Sequence, residues 1–393
     1  MSLGIYISIP FCKSKCSYCN FASGVASRAV YGNYVDQICA GIANAEATAL
    51  AMGACFEHHV NSVYLGGGTP TILDPADLER MFAALRRVFD LDPNTEITVE
   101  CAPGTLTPEI LAAFSRCGVN RVSLGVQSFV DQEAAAVGRL HTRERVLADI
   151  ASLRAAGISN VNVDLIAGLP HQTEESWNLS VCEAIATGVP HISVYMLEVD
   201  EDSRLGRELI AGGTKYHAHF VPEEDRSADF YISACEQLKT AGVHQYEISN
   251  FAREGCESRH NLKYWERQPY FGFGVDAHSM LISSCEKCEA VRFSGSDELN
   301  VFLADRSLAR TGVTRSAALE EVFFLGLRLT RGVDLEQVAA KFGHPSVENL
   351  KPVIEELITA GLLTRANHIA RLTARGRLLS NEVFARFLQE ASR

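Results

Sequence analysis

The chain has 393 residues, 47% hydrophobic and 21% charged, an ordinary globular balance with ample apolar content for a large core. A single core stops growing near roughly 250–300 residues, so one large domain plus a smaller one is expected. The formal net charge of −12 argues against broad, non-specific binding to nucleic acid or an anionic membrane surface, and leaves room only for a local basic patch.

No window approaches the roughly 18 consecutive apolar residues that a membrane span requires. The start, "MSLGIYISIPFC", lacks a basic region followed by a long apolar core and cleavage site, so no secretion signal is expected. Twelve cysteines without a regular framework fit a cytoplasmic protein. Cys39, Cys55, Cys101, Cys117, Cys182 and Cys235 lie in apolar or helical context and read as small buried hydrophobes.

In chain order, β-branched runs recur: "GIYISI", "NSVYLG", "EITVEC", "NRVSLGV", "NVNVDLI" and "HISVYML". Between them lie amphipathic stretches such as "DPADLERMFAALRRVFD", "TPEILAAFSRCG" and "TRERVLADIASLRAAG". Strand, helix and strand in alternation, with short Gly-containing joins, predict an α/β fold of about six βα units around a parallel sheet, an open or partial barrel. The chemistry then belongs at the C-terminal strand ends. Cys12, Gly66 to Thr69, Glu100, Gln127 and Asp164 all fall there. From about residue 310 the pattern turns helical, with a short strand pair around "GLLTRANHIARLT" and a last helix "ARGRLLSNEVFARFLQ". This predicts a smaller, mainly helical domain with a winged-helix-like order of elements.

Just past the first strand, Cys12, Cys16 and Cys19 are spaced x3 and x2. Thiolates are soft ligands suited to iron–sulfur clusters or zinc. Structural zinc normally takes four protein ligands, and no second pair stands nearby. A four-iron cluster on three cysteines leaves one iron open, and the amino and carboxylate groups of S-adenosylmethionine (SAM) are suited to chelate it. Reduction could then split the sulfonium to a 5′-deoxyadenosyl radical. In "YLGGGTPT", Gly66, Gly67 and Gly68 let backbone approach such a ligand closely. No Gly-Lys-Ser/Thr follows, which excludes a nucleoside triphosphate loop. Glu100 could neutralise the ligand's ammonium group. Gln127, Arg139 and Asp164 are polar groups at strand ends or in the loops after them, each open to a structural reading when taken singly.

The cysteine loop resembles the signature of the radical SAM superfamily. With "GGGTPT", "GVNRVSLGVQSF", "GRLHT", "VDLIAGLP" and "YEISNFAREGCESRHNLKYW", the chain resembles the oxygen-independent coproporphyrinogen III oxidase family, and within it the heme-chaperone branch. The similarity runs essentially end to end. It implies a partial (β/α)6 TIM-type barrel, a 4Fe-4S cluster on Cys12, Cys16 and Cys19, and SAM contacts from Tyr6, Gly67, Gly68, Thr69 and Glu100. Gln127, Arg139 and Asp164 would surround the nucleoside of that ligand or of a second copy.

Phe21 stands where the oxidases carry a further cysteine, and the chaperone branch has Phe there; Phe can neither ligate nor supply a proton. "HNLKYW" resembles the heme-associated pattern of the chaperone branch and marks His260, Asn261, Tyr264 and Trp265 for heme. An imidazole can ligate heme iron and the two aromatic rings offer flat surfaces. The competing reading is a satisfied histidine beside core aromatics. Three positions depart from the family pattern: Ser8 for a usual His, Ala102 for Asn and Asp276 for Gly.

The expected domains are 1–250 for the barrel, 251–310 for the heme segment and linker, and 311–393 for the C-terminal domain. The resemblance implies a heme chaperone that passes heme to a respiratory acceptor at the membrane, with no residue assigned as catalytic. A homodimer is left open. The alternatives are the oxidase itself, acting on coproporphyrinogen III, and a two-SAM radical methylase. Arg365, Arg371, Arg375 and Arg377 in the tail are interleaved with acidic residues, which ranks nucleic-acid binding last. Cys285 and Cys288 form an extra C-x-x-C that reads as redox-active, a metal half-site or a bystander.

Overall fold

The computed structural model describes residues 2–305 and 307–388. Six parallel strands lie side by side in chain order: β1 (Leu3–Ser8), β2 (His59–Gly66), β3 (Asp90–Cys101), β4 (Arg121–Gln127), β5 (Asn160–Ala167) and β6 (His191–Met196). All six predicted runs are strands. They alternate with helices that include Tyr31–Ala43, Pro75–Val88, Pro108–Cys117, Arg143–Ala155, Glu174–Ala186 and Glu224–Thr240. Local chemistry sets several of these boundaries. Thr107 accepts from Ile110 N–H at the start of Pro108–Cys117, and Gly118 ends that helix at φ 81°. Thr173 and Ser176 form a reciprocal capping box for Glu174–Ala186.

The barrel does not close. The short strands β7 (His244–Gln245) and β8 (Asn250–Ala252) extend the sheet, with β8 antiparallel to β6. On the other side β9 (Tyr270–Phe273) runs parallel to β1 and is followed by the meander β10 (His278–Ile282), β11 (Ala290–Ser294) and β12 (Ala309–Val313). The result is one sheet of 12 strands; residues 251–310 contribute strands to it and also form the short helices Arg259–Trp265 and Leu299–Ala304.

The period of two in each strand separates two chemistries. Ile5, Ile7, Val63, Leu65, Val99, Val122, Leu124, Val161, Val163, Ile192 and Val194 belong to the main apolar core that the helices cover. The alternate positions, such as Tyr64, Glu100, Arg121, Ser123, Asn162, Asp164 and Ser193, line a cavity inside the barrel.

The C-terminal region packs helices Arg315–Gly326, Leu335–Phe342 and His344–Thr359 with a small sheet of β13 (Val333–Asp334), β14 (Leu363–Ala366) and β15 (Ile369–Leu372). Its core, around Phe323, Leu327, Ile354, Leu357 and Val383, also takes in Ile248, Met280 and Ala290 from the barrel side. It docks on the barrel through buried Glu321, which pairs with Arg267 at 2.6 Å and Arg292 at 2.9 Å. The predicted strand pair is β14 and β15. The predicted last helix is instead two short ones, Ala374–Leu378 and Ser380–Ala385, because Leu379 leaves helical geometry at φ −105°, ψ 34°. The final residue of that predicted stretch, Gln389, lies outside the described residues.

Cys101 and Cys117 are buried as expected, whereas Cys55 and Cys182 are exposed: one sits in the loop before β2 and the other on an outward face of its helix. Among the described residues no helix is long and apolar enough to cross a membrane.

Candidate functional site

The cysteine loop leaves the end of β1 and is pinned at its neck. Ile9 N–H donates to Gly66 O at 2.7 Å, Cys12 N–H to Gly24 O at 2.9 Å, and Gly24 N–H to Pro10 O at 2.9 Å. Phe11 is buried there against Tyr31, with ring centroids 4.2 Å apart. The middle of the loop is tied to two later connections, by Ser17 N–H to Val137 O (3.1 Å) and Leu205 N–H to Ser17 O (2.8 Å). The loop is therefore held by its backbone, leaving the thiols free to face inward. Cys12, Cys16 and Cys19 line one cavity of about 840 Å³ that fills the barrel interior.

Among the described residues no three His, Cys, Asp or Glu side chains are gathered tightly enough to form a finished metal site. The donor chemistry fits an iron–sulfur cluster with one open iron: three soft thiols on one wall and no fourth beside them. Burial pushes the Cys12 thiol up, while Ser23 and Thr69 pull it the other way; the Thr69 hydroxyl lies 3.9 Å from the Cys12 sulfur.

The glycine loop is required by close packing. A Cβ on Gly68 would sit 2.6 Å from Ile9 O and 2.7 Å from Phe11 O, in the neck of the cysteine loop. Gly67 has φ 92°, and a Cβ there would meet Ser8 Oγ at 2.8 Å and the Tyr6 hydroxyl at 3.3 Å. Ser8, buried beneath this turn, is small enough to leave it in place. Glu100, the last residue but one of β3, stands directly opposite. It accepts from the Tyr64 hydroxyl at 2.9 Å and from Gly67 N–H at 3.2 Å. Burial nevertheless raises its pKa to about 7, so it is poised to bind either a proton or an ammonium group.

Farther round the barrel, Asp164 accepts from Ser123 Oγ (3.1 Å) and Asn162 Nδ2 (2.7 Å), and burial raises its pKa. Asn162 also donates to Ser193 Oγ at 3.0 Å, Ser193 donates to Asn250 Oδ1 at 2.8 Å, and His191 contacts Asn162 Oδ1 at 2.6 Å. The polar faces of β4, β5, β6 and β8 thus form one connected network. Arg139 donates to the Tyr18 hydroxyl at 3.0 Å and so ties the cysteine loop to the segment after the short helix Asp131–Ala136 that follows β4. Gln127 turns at φ 70° to bring its buried side chain to the cavity.

The segment Arg259–Trp265 is a short helix contacting β2. Ser258 caps it by accepting from Asn261 N–H, and Glu96 accepts from the N–H groups of Arg259 and His260, both at 3.1 Å. His260 is 1% exposed and stacks on Tyr64 at 5.3 Å and Tyr6 at 6.3 Å. Its Nδ1 contacts Ser62 Oγ at 3.0 Å and its Nε2 the Tyr264 hydroxyl at 2.9 Å, so both ring nitrogens are engaged. Burial, with Lys263 and Arg121 adding to it, lowers the His260 pKa to about 3 and keeps the ring neutral.

Cys12, Cys16, Cys19, Gly67, Gly68, Thr69, Glu100, Gln127, Arg139, Asp164 and Asn261 converge on the cavity. Tyr6, His260, Tyr264 and Trp265 stand behind its lining. Cys285 and Cys288 lie away from it, in the turn between β10 and β11. Sequence reasoning passed over Tyr64, Arg121 and Arg328. The first two are legible in retrospect as polar residues at alternate positions of strands whose other face is apolar. Arg328 lies in the C-terminal region, and nothing local marks it.

The Radical SAM superfamily profile matches residues 6–180, and that of the HemN C-terminal domain matches residues 313–379. The chain is 33% identical to "Heme chaperone HemW" of Bacillus subtilis, over 98% of this chain and 99% of that protein. It belongs to the HemW family. The HemW of Lactococcus lactis is 31% identical, with 98% and 96% of the two chains covered. Among solved structures, the Escherichia coli coproporphyrinogen III oxidase HemN, titled a radical SAM enzyme, aligns with a TM-score of 0.82 over 98% of this chain and 90% of that one, at 23% identity. That likeness establishes the shared fold, a radical SAM α/β partial barrel with a helical C-terminal region. Membership of the superfamily carries with it the 4Fe-4S cluster and SAM that the thiol wall fits.

Proposed function

We propose that this chain is a heme chaperone on a radical SAM scaffold, taking up heme and delivering it to an acceptor protein. End-to-end likeness to proteins named heme chaperones supports the reading, and the cavity carries it. Its rim holds Phe21, 65% exposed, and Leu140, 77% exposed. Five arginines (Arg121, Arg139, Arg145, Arg328, Arg377) line it against three carboxylates (Glu100, Asp164, Glu198), in a chain whose net charge is −12. A flat apolar ring with acidic arms is the ligand chemistry such a lining selects.

In this reading Cys12, Cys16 and Cys19 hold the cluster, which with SAM supplies one-electron chemistry when bound. Glu100 and the Gly67–Gly68 backbone hold the ammonium end of SAM, with Thr69 and Tyr6 supporting the loop. Gln127, Arg139 and Asp164 face the nucleoside, or that of a second copy. Asn261 meets the heme directly, while Tyr264 and Trp265 position their helix. For His260 to serve as axial ligand it must first release Ser62 or Tyr264. The acceptor expected is a respiratory heme protein at the membrane, and a homodimer is the assembly expected. Phe21, which has no thiol, weighs against the oxidase reaction.

The test is anaerobic. The reconstituted chain is titrated with hemin and, separately, given SAM, reductant and coproporphyrinogen III. Stoichiometric heme binding without protoporphyrinogen is the expected result; protoporphyrinogen formed over many turnovers would make the chain an oxidase. Cys16→Ala should abolish the broad charge-transfer absorbance of the cluster, and an unchanged spectrum would remove that assignment. His260→Ala should shift the Soret band if the ring ligates iron; an unshifted band would remove it as ligand.

A further inference from the structure

Arg121 opens β4 with its side chain inside the barrel and is 1% exposed. Among the described residues its side chain makes no hydrogen bond and no ion pair, and its Nε is buried without a partner. A guanidinium cannot escape burial by losing its proton, so an isolated one is costly until an anion meets it. The nearby Asp164 carboxylate feels the Arg121 charge but is held by Ser123 and Asn162 and forms no ion pair with it.

Two further groups face the same space. The Nε of Arg328 is likewise buried and unpartnered, while its Nη2 makes a long ion pair with Glu247 at 3.9 Å. The Arg328 guanidinium also lies 4.3 Å over the Trp265 ring. Trp265 lies four residues after Asn261 on one helix, so the two share a face. The Asn261 amide lines the cavity and makes no side-chain hydrogen bond among the described residues. Arg121 pairs in the sheet with Thr98 of β3, and Glu96, two residues earlier on the same face of that strand, accepts from the N–H of His260, which places Arg121 toward the helix that carries Asn261.

We propose that Arg121, Arg328 and Asn261 form a carboxylate subsite in the floor of the barrel cavity, and that it takes a propionate arm of the tetrapyrrole. The inference rests on the heme reading for its ligand, though not for the subsite itself. It also gives the "HNLKYW" segment a second task. Asn261 meets the acid directly and Trp265 holds Arg328 in place, while His260 anchors the helix from behind. A planar fork such as Arg121 favours a carboxylate taken up through paired hydrogen bonds.

The experiment titrates the full reconstituted chain with hemin and with hemin dimethyl ester, which lacks the acids. Wild type should prefer hemin by at least about tenfold. In Arg121→Gln hemin affinity should fall to that of the ester with the Soret maximum unmoved, and Arg121→Lys should recover part of the loss. Asn261→Asp, which adds a like charge beside the acid, should weaken hemin and spare the ester. Equal losses for both ligands, or no loss for either, would overturn the proposal. A loss confined to SAM affinity would also overturn it, by assigning Arg121 to the amino-acid carboxylate. Trifluoroacetate, followed by fluorine saturation-transfer NMR, separates the two readings. A wild-type signal lost in Arg121→Gln supports the subsite even if hemin fails to bind, and no wild-type signal overturns it.

Discussion

Glu100 offers a direct measure of what burial does to this site. Its pKa rises from 4.5 to about 7, mainly through desolvation, with the bonds from Tyr64 and Gly67 opposing the shift. The folded chain therefore keeps a proton on Glu100 between about pH 4.5 and 7 that the unfolded chain has lost. The native state binds more protons in that window, so stability is greatest at its acid end. It falls as pH rises to about 7 and is flat beyond. At 1.36 kcal/mol per unit the whole fall is about 3 kcal/mol. In Glu100→Gln the group cannot titrate. Urea unfolding of the cluster-free, reduced proteins across this range should give stability curves that diverge by up to that amount, with the wild type losing ground as pH rises. Titrating groups remote from Glu100 are common to both chains and cancel in the difference, while Asp164, which couples to Glu100, contributes to it. Parallel curves at every pH would refute the argument and mean that the Glu100 carboxylate is as well solvated folded as unfolded. The same burial predicts proton release when an ammonium group docks on Glu100. SAM affinity should thus rise with pH up to about 7 in the wild type and lose that dependence in Glu100→Gln.

Two further outcomes test the scaffold. Gly68→Ala drives a methyl group to 2.6 Å from Ile9 O, backbone that cannot swing aside, so urea unfolding should register a loss of about 2–3 kcal/mol and cluster reconstitution should fall. An unchanged midpoint would mean the loop neck is pliable. Glu96→Gln removes the carboxylate that receives the N–H groups of Arg259 and His260; a cost of about 1–2 kcal/mol is expected, and none would mean that Ser258 suffices as cap.

The six barrel strands were legible because β-branched residues on their outer faces announce themselves within six or seven residues. The thiol wall and Glu100 were legible because strand ends are where a βα barrel does its chemistry. The inner faces carried an equally regular signal, Arg121 with Ser123 and Gly125, or Asn162 with Asp164, but it is a signal of polarity where strands are sought by their apolar runs. The state of His260 was legible only as the competing reading, a satisfied histidine beside core aromatics, and the groups that satisfy it were not. One of its partners, Ser62, lies 198 residues away, and only the closed fold brings it to the imidazole. The break at Leu379 was hidden for the opposite reason: the helical pattern runs through it, and the packing of Val383 and Phe387 into the C-terminal core decides otherwise.

Arg328 and Arg377 belong to the C-terminal region, yet they are part of the wall of the barrel cavity. Beside Arg328 the joint includes a bridge between Leu329 and Glu247, and Thr330 N–H donating to Tyr246 O at 3.0 Å. In the proposed subsite, cargo and joint would therefore draw on one free energy. A guest that gripped Arg328 would tighten the seating of the smaller domain, and a partner that pried that domain loose would weaken the grip by the same factor. Unloading would then need no competitor at the mouth of the barrel; a pull on its far wall would be enough.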